Sequence, residues 1–168
     1  QEYIELNVKS GKLSIEVKKK TQIKSSCSMK IHIKTAKLNG FEISGASSVK
    51  LNNTLKDDNL VIESSGAASF KGEVDVNEAQ IELDGAANAN LSGNAESANI
   101  DLSGASQLND YDFKVNDLNV DLSGASSAKI TSVKSVKGDV SGASSLTYDG
   151  NPGVSNVSVS GAASVDRK

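Results

Sequence analysis

The sequence predicts an all-β chain wound into a right-handed parallel β-solenoid of about seven coils, preceded by an irregular N-terminal cap. The first ground is a repeated phrase, Ser-Gly-Ala-Ser or a near variant. Its glycines are Gly45, Gly66, Gly85, Gly104, Gly124, Gly142 and Gly161, so successive steps are 21, 19, 19, 20, 18 and 19 residues. A period near 20 is that of a solenoid in which each repeat forms one coil stacked on the last. The second ground is the apolar pattern around each glycine. Four residues before it stand Phe41, Ile62, Ile81, Ile100, Val120, Gly138 and Val157; two before it stand Ile43, Ser64, Leu83, Leu102, Leu122, Val140 and Val159. Apolar residues two apart with polar ones between them have the period of a strand with one buried face, not of a helix. The third is composition: aromatics are 4% and Trp is absent, so the core must be thin and aliphatic.

A coil then reads as strand, Gly-Ala corner, strand and a variable return loop. The apolar column resumes four residues after the glycine, at Val49, Phe70, Ala89, Leu108, Ala128, Leu146 and Val165. Glycine suits the corner because it takes backbone angles that a Cβ resists. The next alanine is small enough for the inside of a tight bend. Ser and Asn beside it can bond to turn backbone and to their copies one coil away. Coils in register place like residues about 4.8 Å apart. A strand, crossover, parallel strand path favours the right hand.

A chain of 168 residues suits a single domain, with 41–168 as the regular repeats. Residues 1–40 lack the phrase but keep the alternation. Ile4, Leu6 and Val8 are one set, Leu13, Ile15 and Val17 a second across Ser10-Gly11-Lys12, and Met29, Ile31 and Ile33 a third. These are expected to be irregular first coils that close the end of the solenoid, where an open sheet edge would otherwise be exposed. Residues 1–40 hold nine Lys against three acids, and 41–168 hold nine basic residues against eighteen acids. The basic segment could touch an anionic lipid or sugar, but Lys that discourages edge pairing is the simpler reading. Cys27 is the only cysteine, which excludes an intrachain disulfide; in Ser25-Ser26-Cys27-Ser28 it reads as a small semi-buried thiol. His32 is also alone and reads as an exposed strand residue. No apolar run is long enough for a membrane span. The chain begins at Gln1 rather than Met, so a removed signal peptide or lipid anchor is compatible with it.

The most specific polar feature is a carboxylate ladder. Three residues before each glycine, pointing away from the core, stand Glu42, Glu63, Glu82, Asp101, Asp121 and Asp139, and then Ser158. The plain reading is a solvated strand face balanced by the column at Lys50, Lys71 and Lys129. Two functional readings compete with it. Glu82, Asp101, Asp121 and Asp139 could bind Ca²⁺, a cation that takes six to eight oxygen ligands. Adjacent carboxylates could instead hydrolyse a glycosidic bond as an acid and base pair. The inventory disfavours catalysis: Arg occurs once, His once, and aromatic platforms for sugar are scarce, with only Tyr111, Phe113 and Tyr148 near one another along the coils. No Gly-rich phosphate loop precedes a helix. A body with net charge −9 over residues 41–168 is a poor partner for nucleic acid. Ice binding would call for a regular Thr array, and Thr is scarce.

The hydrophobic-x-hydrophobic-Ser-Gly-Ala-Ser phrase resembles that of the family named "putative auto-transporter adhesin, head GIN domain". The match is best at Ile100-Asp101-Leu102-Ser103-Gly104-Ala105-Ser106 and Val120-Asp121-Leu122-Ser123-Gly124-Ala125-Ser126. Leu38 to Ser47 looks like the entry into the family's repeats, and residues 1–37 like its lead-in. Asp84 in place of Ser and Gly138 in the apolar column depart from the phrase. The resemblance implies a β-helix-like domain of secreted or envelope proteins of Gram-negative bacteria, and it brings no catalytic motif. The function expected is therefore a non-catalytic, adhesin-like binding module, periplasmic, outer-membrane-associated or extracellular. Its expected partner is a surface polysaccharide or protein; no cofactor is implied beyond the Ca²⁺ reading, and homo-oligomers are compatible. The alternatives are a carbohydrate-active enzyme of the β-helix type and a purely structural spacer.

Overall fold

The computed structural model describes residues 3–18 and 29–168; Cys27 lies outside the described residues. The described chain is all-β and falls into two compact units, residues 1–35 and 36–168.

The first unit corrects the expectation of irregular coils. Strands β1 (Ile4–Lys9) and β2 (Lys12–Val17) pair antiparallel with each other, in a two-stranded sheet of their own. The turn between them uses Ser10 and Gly11, both at positive φ, 51° and 81°. Such a tight turn brings the next strand straight back, giving a hairpin where a coil would need a parallel crossover. The register Ile4↔Val17, Leu6↔Ile15 and Val8↔Leu13 gathers both predicted apolar sets on one hairpin face. Met29, Ile31 and Ile33 lie in no strand and are exposed, as is His32.

The second unit is a parallel β-solenoid of about seven turns, as the repeat predicts. Its strands are β3 (Gly40–Ile43), β4 (Ser48–Lys50), β5 (Leu55–Ser64), β6 (Ser69–Leu83), β7 (Asn88–Leu102), β8 (Gln107–Leu122), β9 (Ser127–Val140), β10 (Ser145–Asp149), β11 (Val154–Val159) and β12 (Ser164–Arg167). They form one sheet in the order β12-β10-β9-β8-β7-β6-β5-β3, with β11 on β9 and β4 on β6. The two apolar columns before the glycine stack in register, for example Ile62↔Ile81↔Ile100↔Val120 and Ser64↔Leu83↔Leu102↔Leu122. The side chains of these eight residues are buried, together with Phe70, Phe113 and Leu108. Near the first coil, Phe41 meets Phe70 edge to face with ring centroids 5.0 Å apart.

All seven predicted corner glycines have positive φ, between 68° and 80°. The coils stay hydrogen-bonded through the corner: Ala86 N–H donates to Gly66 O at 2.8 Å, Ala105 to Gly85 at 2.6 Å and Ala125 to Gly104 at 2.7 Å. Packing adds a second demand for glycine. A Cβ on Gly104 would lie 2.5 Å from Gly85 O, and one on Gly124 would lie 2.5 Å from Gly104 O.

Two details of the predicted coil change. The alanine after the glycine is on the outside of the bend, because the corner backbone turns its inward position to the following residue: Ala68, Ala87, Ser106, Ser126 and Ser144 are buried. The buried hydroxyls find backbone acceptors there, with Ser106 Oγ 2.9 Å from Leu83 O and Ser126 Oγ 3.2 Å from Leu102 O. The return segment is also strand rather than loop in the middle coils, since β6 to β9 run through it without a break. Differences in coil length are absorbed there by register shifts, between Ala89 and Gly93 and between Asn109 and Asp117. Gly138, a gap in the apolar column by sequence, is a conformational requirement: its φ is 129°, and a Cβ would sit 2.0 Å from Val120 O.

Ser64 is the one buried side chain of the described residues whose hydroxyl has no hydrogen-bond partner. It occupies an inward apolar position between Ile43 and Leu83 and is 5% exposed. An unpaired buried hydroxyl costs roughly 1–3 kcal/mol, and valine suits a strand. Ser64→Val is therefore expected to raise stability by about 1–2 kcal/mol. Urea unfolding that shows an unchanged or lower midpoint would mean that the hydroxyl is satisfied or the site too tight.

Candidate functional site: a polar groove and a carboxylate ladder

The predicted ladder forms in register. Glu42↔Glu63, Glu63↔Glu82, Glu82↔Asp101, Asp101↔Asp121 and Asp121↔Asp139 are direct neighbours on successive coils, and Ser158 continues the column beside Asp139. All six acids are exposed. The parallel sheet that aligns them also keeps them in a single file. Each acid has at most one ladder acid above it and one below, and among the described residues no group of three or more His, Cys, Asp or Glu is arranged to hold a metal ion. Within the ladder, Asp139 N–H donates to Asp121 Oδ1 at 3.2 Å. Lys50, Lys71 and Lys129 stand beyond the corner, in a column of their own that includes the neighbour pair Lys50↔Lys71. The ion pairs Lys56–Asp75, Lys134–Glu96 and Lys168–Asp149, at 3.4, 3.6 and 4.0 Å, lie away from the ladder.

The aromatic strip considered for a sugar-processing cleft does not form. Phe113 and Tyr148 are inward residues of the core, 0% and 8% exposed. Tyr111 is half-buried and carries the Lys168 ammonium 4.3 Å from its ring centroid.

A different surface forms a shallow polar concavity. An open groove of about 510 Å³ crosses the coils on their return side. Two polar rows flank it. One lies ten residues before the corner glycine and reads Lys56, Asp75, Asn94, Lys114, in register across β5 to β8. The other lies eight before it and reads Asp58, Asn77, Glu96, Asn116, with Lys134 next in the column. Between the rows the inward column contributes Val76 and Ala95. Exposed Val133 also lines the groove; a register shift turns it outward and buries Ser132 in the core.

Both rows mix donors with acceptors. Asn77 Nδ2 donates to Asp58 Oδ1 at 2.9 Å, Asn116 Nδ2 donates to Glu96 Oε2 at 2.7 Å, and Lys56 Nζ lies 3.4 Å from Asp75 Oδ2. Asp57 ends the inward column above Val76. Its carboxylate is only 8% exposed, accepts from Asp58 N–H at 2.8 Å and pairs with Lys37 at 3.5 Å. The sequence reading missed this groove. Its signal was the constant offset of eight from the glycine, hidden because bulges break the alternation on that side of the coil.

Asp84, the departure in the third phrase, has a local role. Ser103 Oγ donates to its carboxylate at 2.6 Å across one coil, and this bond, with the Gly85 N–H, holds its pKa below the ordinary 3.8.

Three solved chains match the fold. A crystal structure of a "putative adhesin" from Bacteroides fragilis NCTC 9343 superposes with a TM-score of 0.94 at 24% identity, covering 99% of this chain and 77% of that one. Another, of a "putative adhesin" from Parabacteroides merdae ATCC 43184, gives a TM-score of 0.73 at 19% identity, covering 100% of this chain and 79% of that one. No curated protein matches the chain.

The ladder yields a test in which charge repulsion and cation binding give different results. Six exposed like charges in file repel by somewhat under 1 kcal/mol per neighbouring pair. Asp101→Asn combined with Asp121→Asn should raise the melting temperature at neutral pH and low salt in EDTA, with the gain shrinking as salt is added. Millimolar Ca²⁺ should raise the wild-type melting point only if the ladder holds the cation, and the double variant should lose that rise. Equal wild-type melting in Ca²⁺ and in EDTA would end the cation reading.

The family described as "Putative auto-transporter adhesin, head GIN domain" matches residues 1–152, and with the repeat, the corners and the solenoid all in agreement, the chain belongs to that family.

Proposed function

We propose that this domain is a non-catalytic binding module, displayed in the periplasm, on the outer membrane or outside the cell, and that its groove takes a surface polysaccharide. The observation that carries the reading is the pair of polar rows along the groove. One row runs cation, carboxylate, amide, cation and the other carboxylate, amide, carboxylate, amide, so a ligand crossing them meets a donor and an acceptor at every step of about 4.8 Å. A hexose unit is about as long as one coil is high, and its hydroxyls both donate and accept. Exposed Val133 supplies apolar surface in the groove. Membership of an adhesin-named family supports the class.

The carboxylates of the groove favour binding over hydrolysis. Asp58, Asp75 and Glu96 are exposed and already matched to Asn77, Lys56 and Asn116. A general acid of a glycosidase needs a carboxyl kept protonated by apolar surroundings, and these three lack them.

A glycan array followed by calorimetry on the hits tests the proposal. Asn94→Ala with Asn116→Ala should weaken binding about tenfold or more, since two hydrogen bonds at about 0.5–1.5 kcal/mol each are removed. Asp101→Asn on the ladder should leave binding unchanged. Binding that ignores the groove variant would move the site elsewhere. Turnover of a bound polysaccharide would make the domain an enzyme, and an array without hits would favour the spacer reading.

A further inference from the structure

We propose that the last coil is a homotypic docking edge, on which β11 of a second copy adds antiparallel to β11 of the first about a two-fold axis. Strand β11 pairs with β9 on one side, and no strand of the described residues pairs with its other side. A row of backbone N–H and C=O groups there is a template for another strand. Proteins guard such edges with charge, and other edge strands of this sheet do so: β4, near the other end of the strand order, carries Lys50, and β12 carries Asp166 and Arg167. Strand β11, Val-Ser-Asn-Val-Ser-Val, carries none. Val154 and Val159 are each 49% exposed, and Val157 is half-buried.

The charge pattern points to the occupant. The column three residues before the corner glycine is acidic in every coil from Glu42 to Asp139 and turns neutral only at Ser158, on the strand whose second side no described strand pairs with. A two-fold pairing of β11 that keeps core-facing residues on the same side of both strands can place Val157 opposite Val159 and Ser158 opposite itself on the axis. An acid at that position would face its own copy, a destabilising pair across strands. Serine removes the conflict, and the valines extend the apolar layer. The interface is isologous and closes at two copies. A head-to-tail stack on β3 would instead place Ser158 beside Glu42 and grow without limit.

Sedimentation velocity on the 168-residue chain over a wide concentration range decides the matter. Wild type is expected to shift from monomer to dimer as concentration rises. Ser158→Asp should abolish the dimer while the melting transition persists, because six other coils already accept an acid at this position. Val157→Lys should do the same by charging the shared face. The proposal is overturned if wild type stays monomeric up to millimolar concentration, if the dimer survives both substitutions, or if mass keeps growing beyond the dimer.

Discussion

Everything else in the solenoid depends on how closely its coils approach at the glycine corner. A parallel coil must turn through the corner without losing the hydrogen bonds to the coil beneath, since the backbone groups there would otherwise be left unpaired at the edge of a dry core. The left-handed glycine solves this by letting the next N–H reach the carbonyl of the glycine one coil earlier, at 2.6 to 2.9 Å along the stack. From Gly85 onward the same approach leaves no room for a Cβ, so conformation and packing both select glycine at one place. With the corners fixed in register, the positions beside them are fixed in columns.

Columns explain how so plain a sequence makes distinct surfaces. A residue type repeated at one offset becomes a stripe, whether an apolar one inside, the carboxylate ladder outside, or the rows beside the groove. Stripes of a single charge repel, and this chain places its ladder on an exposed face where water and salt screen it. Stripes of mixed polarity satisfy one another, as Asp58 with Asn77 and Glu96 with Asn116 do. The second kind offers a ligand a varied set of partners, and it is the kind that lines the groove.

The sequence made one side of the coil legible and hid the other. Strict alternation beside the glycine gave the core columns, the corners and the register of the ladder, because a parallel sheet preserves period two there. On the return side, bulges between Asn109 and Asp117 break that period, so the continuous strands looked like loops and the groove went unseen. The N-terminal segment shows a different limit. Alternation in Ile4–Val8 and Leu13–Val17 announces strands, but it is the Ser10-Gly11 turn that makes them antiparallel partners, and the apolar pattern is the same for a hairpin as for a coil. Gly138 looked like a defect because a one-dimensional column cannot show the carbonyl of Val120 against it.

Amide hydrogen exchange followed residue by residue by NMR tests the corner account most directly. Ala105 and Ala125 are exposed residues at the tips of sharp bends, where loop amides would exchange freely. If their N–H groups are held by the carbonyls of Gly85 and Gly104, they should be protected to nearly the same degree as the core-column amides of Ile100 and Val120, opening only with the solenoid as a whole. Exchange at Ala105 and Ala125 as fast as in an unstructured loop, while Ile100 and Val120 stay protected, would show that the corners are simple turns and that the stack is held by its strands alone.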